Sequence, residues 1–318
     1  MEKKLIRRST NHVAVGLIIY SIICYAMILI WMIVPMIKLA LQNADDTTVD
    51  AILLQTEAQM INSGLPSLVG IAVGVLFCLL FFRKTVPLAQ VFQCKQKMTC
   101  KHFFILLCVF MSGQFIATLL ANGLEWILNF FGYTAIEQAD EAAATSTTIS
   151  MLLYASFLGP IAEEFIYRGF VMRSAQNYGK LFAIVFSSVL FGVMHANLFQ
   201  ILAAPLVGIV LGYVALEYSI FWSILLHIIN NFVFSDLLGM LLSKLSSLTQ
   251  DIIYYCFSIG FFAASTFFLI KYRKKILAYL QENKAEKKCY RYAFTAIGMI
   301  VFLGANLALA FSGIQKLS

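Results

Sequence analysis

Two adjacent acids and an arginine stand in an otherwise apolar stretch of this sequence, LGPIAEEFIYRGF. Ionisable side chains at membrane depth cost at least about 2.5 kcal/mol each on insertion scales, so such residues are functional candidates by default. In a helix, Glu164 and Arg168 are i,i+4 neighbours that can neutralise each other. Glu163 is rotated by about 100° from Glu164 and faces elsewhere. We therefore expect one glutamate to be structural and the other to be available for chemistry.

Two histidines, His195 and His227, also fall in apolar stretches, and Asn231 follows His227 by one helical turn. Peptide hydrolysis needs a base, a positioned water and donors aimed at the developing oxyanion. A glutamate, an imidazole and an amide can supply these groups. Pro160, just before the two acids, is expected to kink its helix and to free the carbonyl of Ser156.

Structural interpretations of these residues stay open beside the catalytic one. A Glu–Arg pair within a membrane can serve only to hold helices together, and a lone histidine on an apolar face is usually a hydrogen-bonded core residue. An unpaired Glu163 together with two histidines on other helices is harder to explain by packing alone.

Three motifs follow one another in these apolar stretches: EExxxR, FxxxH and HxxxN. They stand here as Glu163-Glu164 to Arg168, Phe191 to His195, and His227 to Asn231. In this order and spacing the sequence resembles the CPBP (CAAX protease and bacteriocin-processing, or Abi) family of intramembrane peptidases. The resemblance covers about residues 148–242, and the flanking helices match only in being hydrophobic.

The resemblance implies a role for each motif position. It implies that Glu163 is the general base that activates water, with His195 helping to hold it. It implies that His227 and Asn231 stabilise the tetrahedral oxyanion. Glu164 and Arg168 are then supporting residues that orient the others, as is Phe191 of the FxxxH motif.

The participation of a metal is a separate question. Glu163, His195 and His227 form a Glu/His₂ set that could hold Zn²⁺ with one open position. The HExxH pattern of soluble metalloproteases is absent. We expect that no cofactor is required, with Zn²⁺ as the alternative.

The composition requires a membrane. The 318 residues are 61% hydrophobic and only 12% charged, with a mean hydropathy of +0.84, whereas a soluble domain carries about a quarter charged residues. The fold class is therefore an all-α, polytopic membrane bundle. The seven cysteines show no CxxC pattern and are expected to be reduced.

About nine spans are expected, because each needs about 20 mostly apolar residues. The domain boundaries predicted are 1–147 for helices 1–3, 148–242 for a four-helix catalytic core, and 243–318 for helices 8–9. Three acids near span ends are expected to be solvated or interfacial: Glu125, Glu217 and Asp236. The spans are placed at 13–37, 66–82, 103–124, 149–172, 181–197, 198–216, 220–242, 252–270 and 292–312.

The loop charges predict the orientation. With the N-terminus in the cytoplasm, most Lys and Arg fall in inner loops, while the outer loops are acidic at Asp45, Asp46, Asp50 and Glu57 and again at residues 137–141. This places the C-terminus outside, in what we expect to be a bacterial plasma membrane. The net charge of +7 thus reflects topology and contact with lipid headgroups, and no nucleic-acid partner is expected.

Three functions are compatible with these patterns. The first is an intramembrane endopeptidase acting on a peptide or a membrane-associated protein precursor. The second is a non-catalytic membrane regulator or bacteriocin-immunity protein that acts by binding. The third, a proton-coupled carrier, is disfavoured because no internal repeat is present. The oligomeric state is left open.

Overall fold

The computed structural model describes residues 2–41 and 63–317. It confirms a polytopic helical bundle, and the only strands in these ranges form one two-residue pair. The first half contains α1 (Glu2–Leu41), α2 (Leu65–Phe82), α3 (Leu88–Val91), α4 (Cys100–Phe130), β1 (Tyr133–Thr134) and α5 (Ile136–Ala143). The second half contains α6 (Ile149–Tyr178), α7 (Lys180–Val193), α8 (Leu198–Glu217), α9 (Ile220–Leu242), α10 (Ser247–Lys271), α11 (Arg273–Glu282), α12 (Lys287–Phe294), α13 (Ile297–Ser312) and β2 (Gln315–Lys316).

Each predicted span corresponds to a helix, but two are irregular. Within the described ranges, seven helices are long and apolar enough to cross a membrane, or eight if α12 and α13 count as one span. These two helices meet at an angle of 69°. The predicted span at 181–197 ends early, because α7 has 14 residues and stops at Val193. Ala196, with a φ of 47°, then turns the chain into α8.

Side-chain caps explain where several helices begin. Thr99 accepts a hydrogen bond from the backbone N–H of His102 at the start of α4, and Thr148 does the same for Met151 at the start of α6. Asn197 accepts from two backbone N–H groups in the first turn of α8. These bonds satisfy donors that the first helical turn leaves unpaired.

The charged and polar contacts separate the two ends of the bundle. At one end, which we call the basic end, Lys288 forms an ion pair with Glu2 and Arg7 donates to Thr295. At the other end, β1 and β2 pair next to the segment that leads into α8. The described residues do not include four of the acids predicted to lie on the outer side of the membrane: Asp45, Asp46, Asp50 and Glu57. The orientation in the membrane stays a prediction.

Glycines allow close helix packing at two crossings. Gly212 on α8 faces Ile184 on α7, and Gly70 on α2 faces the backbone of Cys24 on α1. A Cβ at either glycine would lie 3.2–3.3 Å from that neighbour, closer than ordinary van der Waals contact. All seven cysteines are free, as expected.

Candidate active site

The helices that carry the motifs depart from regular α-helical geometry at the site. α6 is π-helical over Leu153–Leu158 and again over Phe165–Val171, and α9 is π-helical over Ile229–Leu237. Such π segments occur frequently at functional sites. The two stretches in α6 flank the glutamates, and the one in α9 begins two residues after His227.

Pro160 acts on a different carbonyl from the one predicted. In the π segment the N–H of Gly159 bonds to the carbonyl five residues back, that of Tyr154. In this register the missing N–H of Pro160 leaves the carbonyl of Ala155 without a helical partner, rather than that of Ser156. Asn231 Nδ2 donates to the Ala155 oxygen at 2.9 Å and joins α9 to α6.

Glu164 and Arg168 form a fully buried ion pair, as their spacing predicted. Arg168 Nη1 lies 3.0 Å from Glu164 Oε1, and neither side chain is exposed. The guanidinium carbon lies 4.2 Å from the ring centre of Phe191, and Nη2 donates to the carbonyl of Gly208. Ser223 Oγ donates to the second carboxylate oxygen of Glu164 at 2.5 Å. Every oxygen of this carboxylate is therefore engaged.

His227 lies between the two glutamates. Its Nδ1 is 3.1 Å from Glu164 Oε1, and its Nε2 is 3.7 Å from Glu163 Oε2. The second distance is too long for a direct hydrogen bond. The side chain of Glu163 is 21% exposed, whereas that of Glu164 is completely buried. Glu163 is thus the accessible carboxylate of the two.

His195 has a defined tautomer. Its Nδ1 lies 2.8 Å from the carbonyl oxygen of Phe191, and because a carbonyl can only accept, Nδ1 carries the proton. The Nε2 lone pair of a neutral ring is then available. The rings of His195 and His227 both lie nearly perpendicular to the ring of Phe191, at 5.0 and 5.8 Å between centres. No hydrogen bond or ion pair joins His195 to Glu163 within the described residues.

A relay of amides fixes the orientation of Asn231. Gln114 Nε2 donates to Asn230 Oδ1 at 2.7 Å, and Asn230 Nδ2 donates to Asn231 Oδ1 at 2.9 Å. Nδ2 of Asn231, the group that reaches Ala155, therefore keeps one further N–H. Neither Gln114 nor Ser223 was predicted from the sequence. Ser223 precedes His227 by four residues, a spacing that could have revealed it, whereas nothing marks Gln114.

A metal site needs several His, Cys, Asp or Glu side chains that converge on one point. Across residues 2–41 and 63–317, no three such side chains are grouped so as to hold a metal ion. The chemistry proposed below is derived from the side chains alone.

Of the three acids expected to be solvated or interfacial, two are not solvated but buried in the protein. Asp236 is 3% exposed and accepts hydrogen bonds from the N–H of Ser146 (2.6 Å), from its hydroxyl and from that of Ser156. Glu217 is 5% exposed and is contacted by Lys180 and Tyr279, each at 2.8 Å. The prediction failed because proximity to a span end does not show whether neighbouring segments cover a residue. Glu125 does lie at the helix end, where it accepts from Thr134 and from the N–H of Ala135.

Comparison with known proteins identifies the segment that carries the site. The family model described as Type II CAAX prenyl endopeptidase Rce1-like matches residues 145–233, which include all three motifs. The resemblance to the CPBP family is confirmed. The matched segment begins just before α6 and ends within α9.

One curated relative extends the match. A Bacillus subtilis (strain 168) protein named "Putative membrane peptidase YdiL" is 26% identical over 126 residues, which are 38% of this chain and 51% of that protein. The match thus spans about half the length of that relative. No solved structure matches the chain significantly.

Proposed function

We propose that this chain is an intramembrane endopeptidase that hydrolyses a peptide bond of a membrane-associated protein or peptide precursor, using water activated by Glu163. One observation carries the proposal. Of two adjacent carboxylates, Glu164 is fully engaged by Arg168, Ser223 and His227, while Glu163 is partly exposed and faces the other edge of the same imidazole.

The 3.7 Å gap between Glu163 Oε2 and His227 Nε2 suits a water molecule that bridges the two groups. In the proposed reaction, Glu163 takes a proton from this water as the oxygen attacks the scissile carbonyl. The tetrahedral intermediate then collapses, the C–N bond breaks, and Glu163 returns the proton to the leaving amine. The carboxylate is regenerated, and the net reaction consumes one water.

His227 and Asn231 are the proposed donors to the oxyanion. Asn231 has one N–H left after its bond to Ala155. His227 can donate from Nε2 only when both ring nitrogens carry protons, because Glu164 accepts from Nδ1. Removing one donor of this type typically costs a factor of about 10²–10³ in rate. His195, with its Nε2 lone pair available, is proposed to help hold the water.

We propose that the reaction needs no metal or other cofactor. We also propose that the chain lies in a bacterial plasma membrane with the N-terminus in the cytoplasm and the C-terminus outside. The charge distribution of the loops supports this orientation.

The test is cleavage of a fluorogenic peptide library by the purified protein in nanodiscs, with and without a chelator. Wild-type activity should survive chelation, and His227→Ala should lose a factor of about 10²–10³. The matched control is Glu282→Gln, at an exposed position on α11. Activity lost on chelation and restored by Zn²⁺ would contradict the cofactor proposal. A cellular phenotype that does not require His227, with no cleavage of any peptide, would favour the binding-only regulator.

A further inference from the structure

A polar cavity lies at the basic end of the bundle, apart from the candidate active site. It has a volume of about 400 Å³ and lies between the segment around α3 and the last turns of α6. Its lining consists of Ala89, Gln90, Gln93, Arg173, Gln176 and Asn177. None of these six residues is acidic. One guanidinium and four side-chain amides therefore offer hydrogen-bond donors in this cavity.

Arg173 is the central group of this lining. The side chain is 4% exposed, and it donates from Nη2 to the carbonyl of Ala215 (3.0 Å) and from Nη1 to Gln176 Oε1 (3.1 Å). Its Nε is buried without a hydrogen-bond partner. In the described part of the chain no carboxylate lies within ion-pair distance of Arg173. A buried charge without a paired anion is costly, so the site is incomplete as it stands.

The charges around the cavity add to its positive potential. Burial lowers the pKa of Lys95; Glu217 opposes this shift, while the nearby charges of Lys180 and Arg173 reinforce it. The one acid of this cluster, Glu217, is already bound by Lys180 and by the Tyr279 hydroxyl. Three cations thus surround one carboxylate that is already engaged.

Three exposed apolar side chains, here called the apolar rim, belong to or pack against the segment that carries Ala89, Gln90 and Gln93 of the lining. Leu88 is 49% exposed, Phe92 is 44% exposed and Phe221 is 61% exposed. The ring of Phe92 lies between those of Phe165 and Phe221, at 5.9 and 5.7 Å. Val91, by contrast, is fully buried against α6. The segment thus exposes apolar side chains at Leu88 and Phe92, each next in sequence to a lining residue, Ala89 or Gln93.

We propose that this cavity binds the phosphate group of an anionic phospholipid in the leaflet at the basic end, with the acyl chains lying along Leu88, Phe92 and Phe221. Arg173 and the amides of Gln90 and Gln93 contact the phosphate oxygens. A free anion would use the same donors but would leave the apolar rim uncovered. This site is independent of the proposed peptidase activity.

The test is titration of the detergent-purified full chain with phosphatidylglycerol, followed by native mass spectrometry and by the thermal unfolding midpoint. Phosphatidylcholine and inorganic phosphate are titrated in parallel. Phosphatidylglycerol should bind more tightly than phosphatidylcholine, and Arg173→Gln should weaken its binding by about tenfold or more, because a charge-assisted hydrogen bond is lost. The control is Lys274→Gln, which removes an exposed charge from α11 outside the cavity.

Arg173 also holds the carbonyl of Ala215, so Arg173→Gln can fail to fold. If Arg173→Gln does not fold, the proposal is tested by the double variant Gln90→Ala/Gln93→Ala, which alters two exposed side chains of the cavity lining. Equal affinity for the two lipids would overturn the proposal, as would a loss in Lys274→Gln equal to that of the cavity variants. Displacement of phosphatidylglycerol by inorganic phosphate at comparable concentration would assign the cavity to a soluble anion and overturn the lipid assignment.

Discussion

The same Glu→Gln substitution at the two adjacent glutamates is expected to lower the free energy of unfolding by very different amounts. Glu164→Gln leaves Arg168 fully buried with no carboxylate beside it, since Glu164 supplies the ion pair at 3.0 Å. Removing one partner of a buried pair typically costs about 3–5 kcal/mol. Glu163→Gln removes a carboxylate that is 21% exposed and makes no direct hydrogen bond to His227, so its cost should stay below about 1 kcal/mol.

The measurement is the free energy of unfolding in mixed detergent, followed by circular dichroism. A third variant shows whether the loss in Glu164→Gln comes from the stranded charge. Glu164→Gln/Arg168→Met removes both charges, so it should be less destabilised than Glu164→Gln alone. The phenyl ring of Phe191 and the carbonyl of Gly208 would then contact a thioether instead of a guanidinium.

Two results would refute this reasoning. An equal loss of stability in Glu163→Gln and Glu164→Gln would show that both carboxylates are structural. A double variant no more stable than Glu164→Gln would show that the stranded charge of Arg168 is not the cause of the loss.

Three further outcomes follow from individual side-chain contacts, two at the candidate active site and one at the basic end, each measured as a change in unfolding free energy. Ser223→Ala should cost about 1.5–3 kcal/mol, because it removes a hydrogen bond to a buried carboxylate. Gly208→Ala should cost about 1–3 kcal/mol, because the new Cβ would lie 3.1 Å from the side chain of Ser188 on α7. The control is Gly304→Ala, which should not destabilise the protein, because a Cβ there would have nothing within 4 Å. Burial and the hydrogen bond to Glu217 raise the pKa of Tyr279 above its ordinary 10.0. The free energy of unfolding should therefore be constant below about pH 10 and fall as the pH rises further. This alkaline loss of stability should be smaller in Tyr279→Phe, which has no hydroxyl to ionise. A cost in Gly304→Ala equal to that in Gly208→Ala, or the same alkaline loss in Tyr279→Phe, would contradict the corresponding explanation.

The helices could be predicted from the sequence because each is a long apolar run, and the Glu164–Arg168 pair could be predicted because an i,i+4 spacing in a helix leaves little choice. The carbonyl freed by Pro160 was predicted one residue too late. That error arose because α-helical spacing was assumed, whereas α6 is π-helical over Leu153–Leu158. No local pattern distinguishes a π segment from an α-helix.

Contacts between distant segments were beyond prediction for a different reason. Gln114 stands alone in an apolar helix, and its partner Asn230 lies more than 100 residues away. The burial of Asp236 likewise depends on Ser146, in the loop before α6. Spacing along one helix cannot reveal which other helix it faces.

The role of Glu163 as the general base is tested by kcat/KM for Glu163→Gln in nanodiscs, on a peptide that the wild type cleaves. Circular dichroism and the unfolding midpoint of the same preparation confirm that the variant is folded. We predict a loss of at least about 10²-fold, the usual contribution of a general base, in a protein of nearly wild-type stability. Cleavage at close to the wild-type rate by the folded variant would contradict the role of Glu163 as the base.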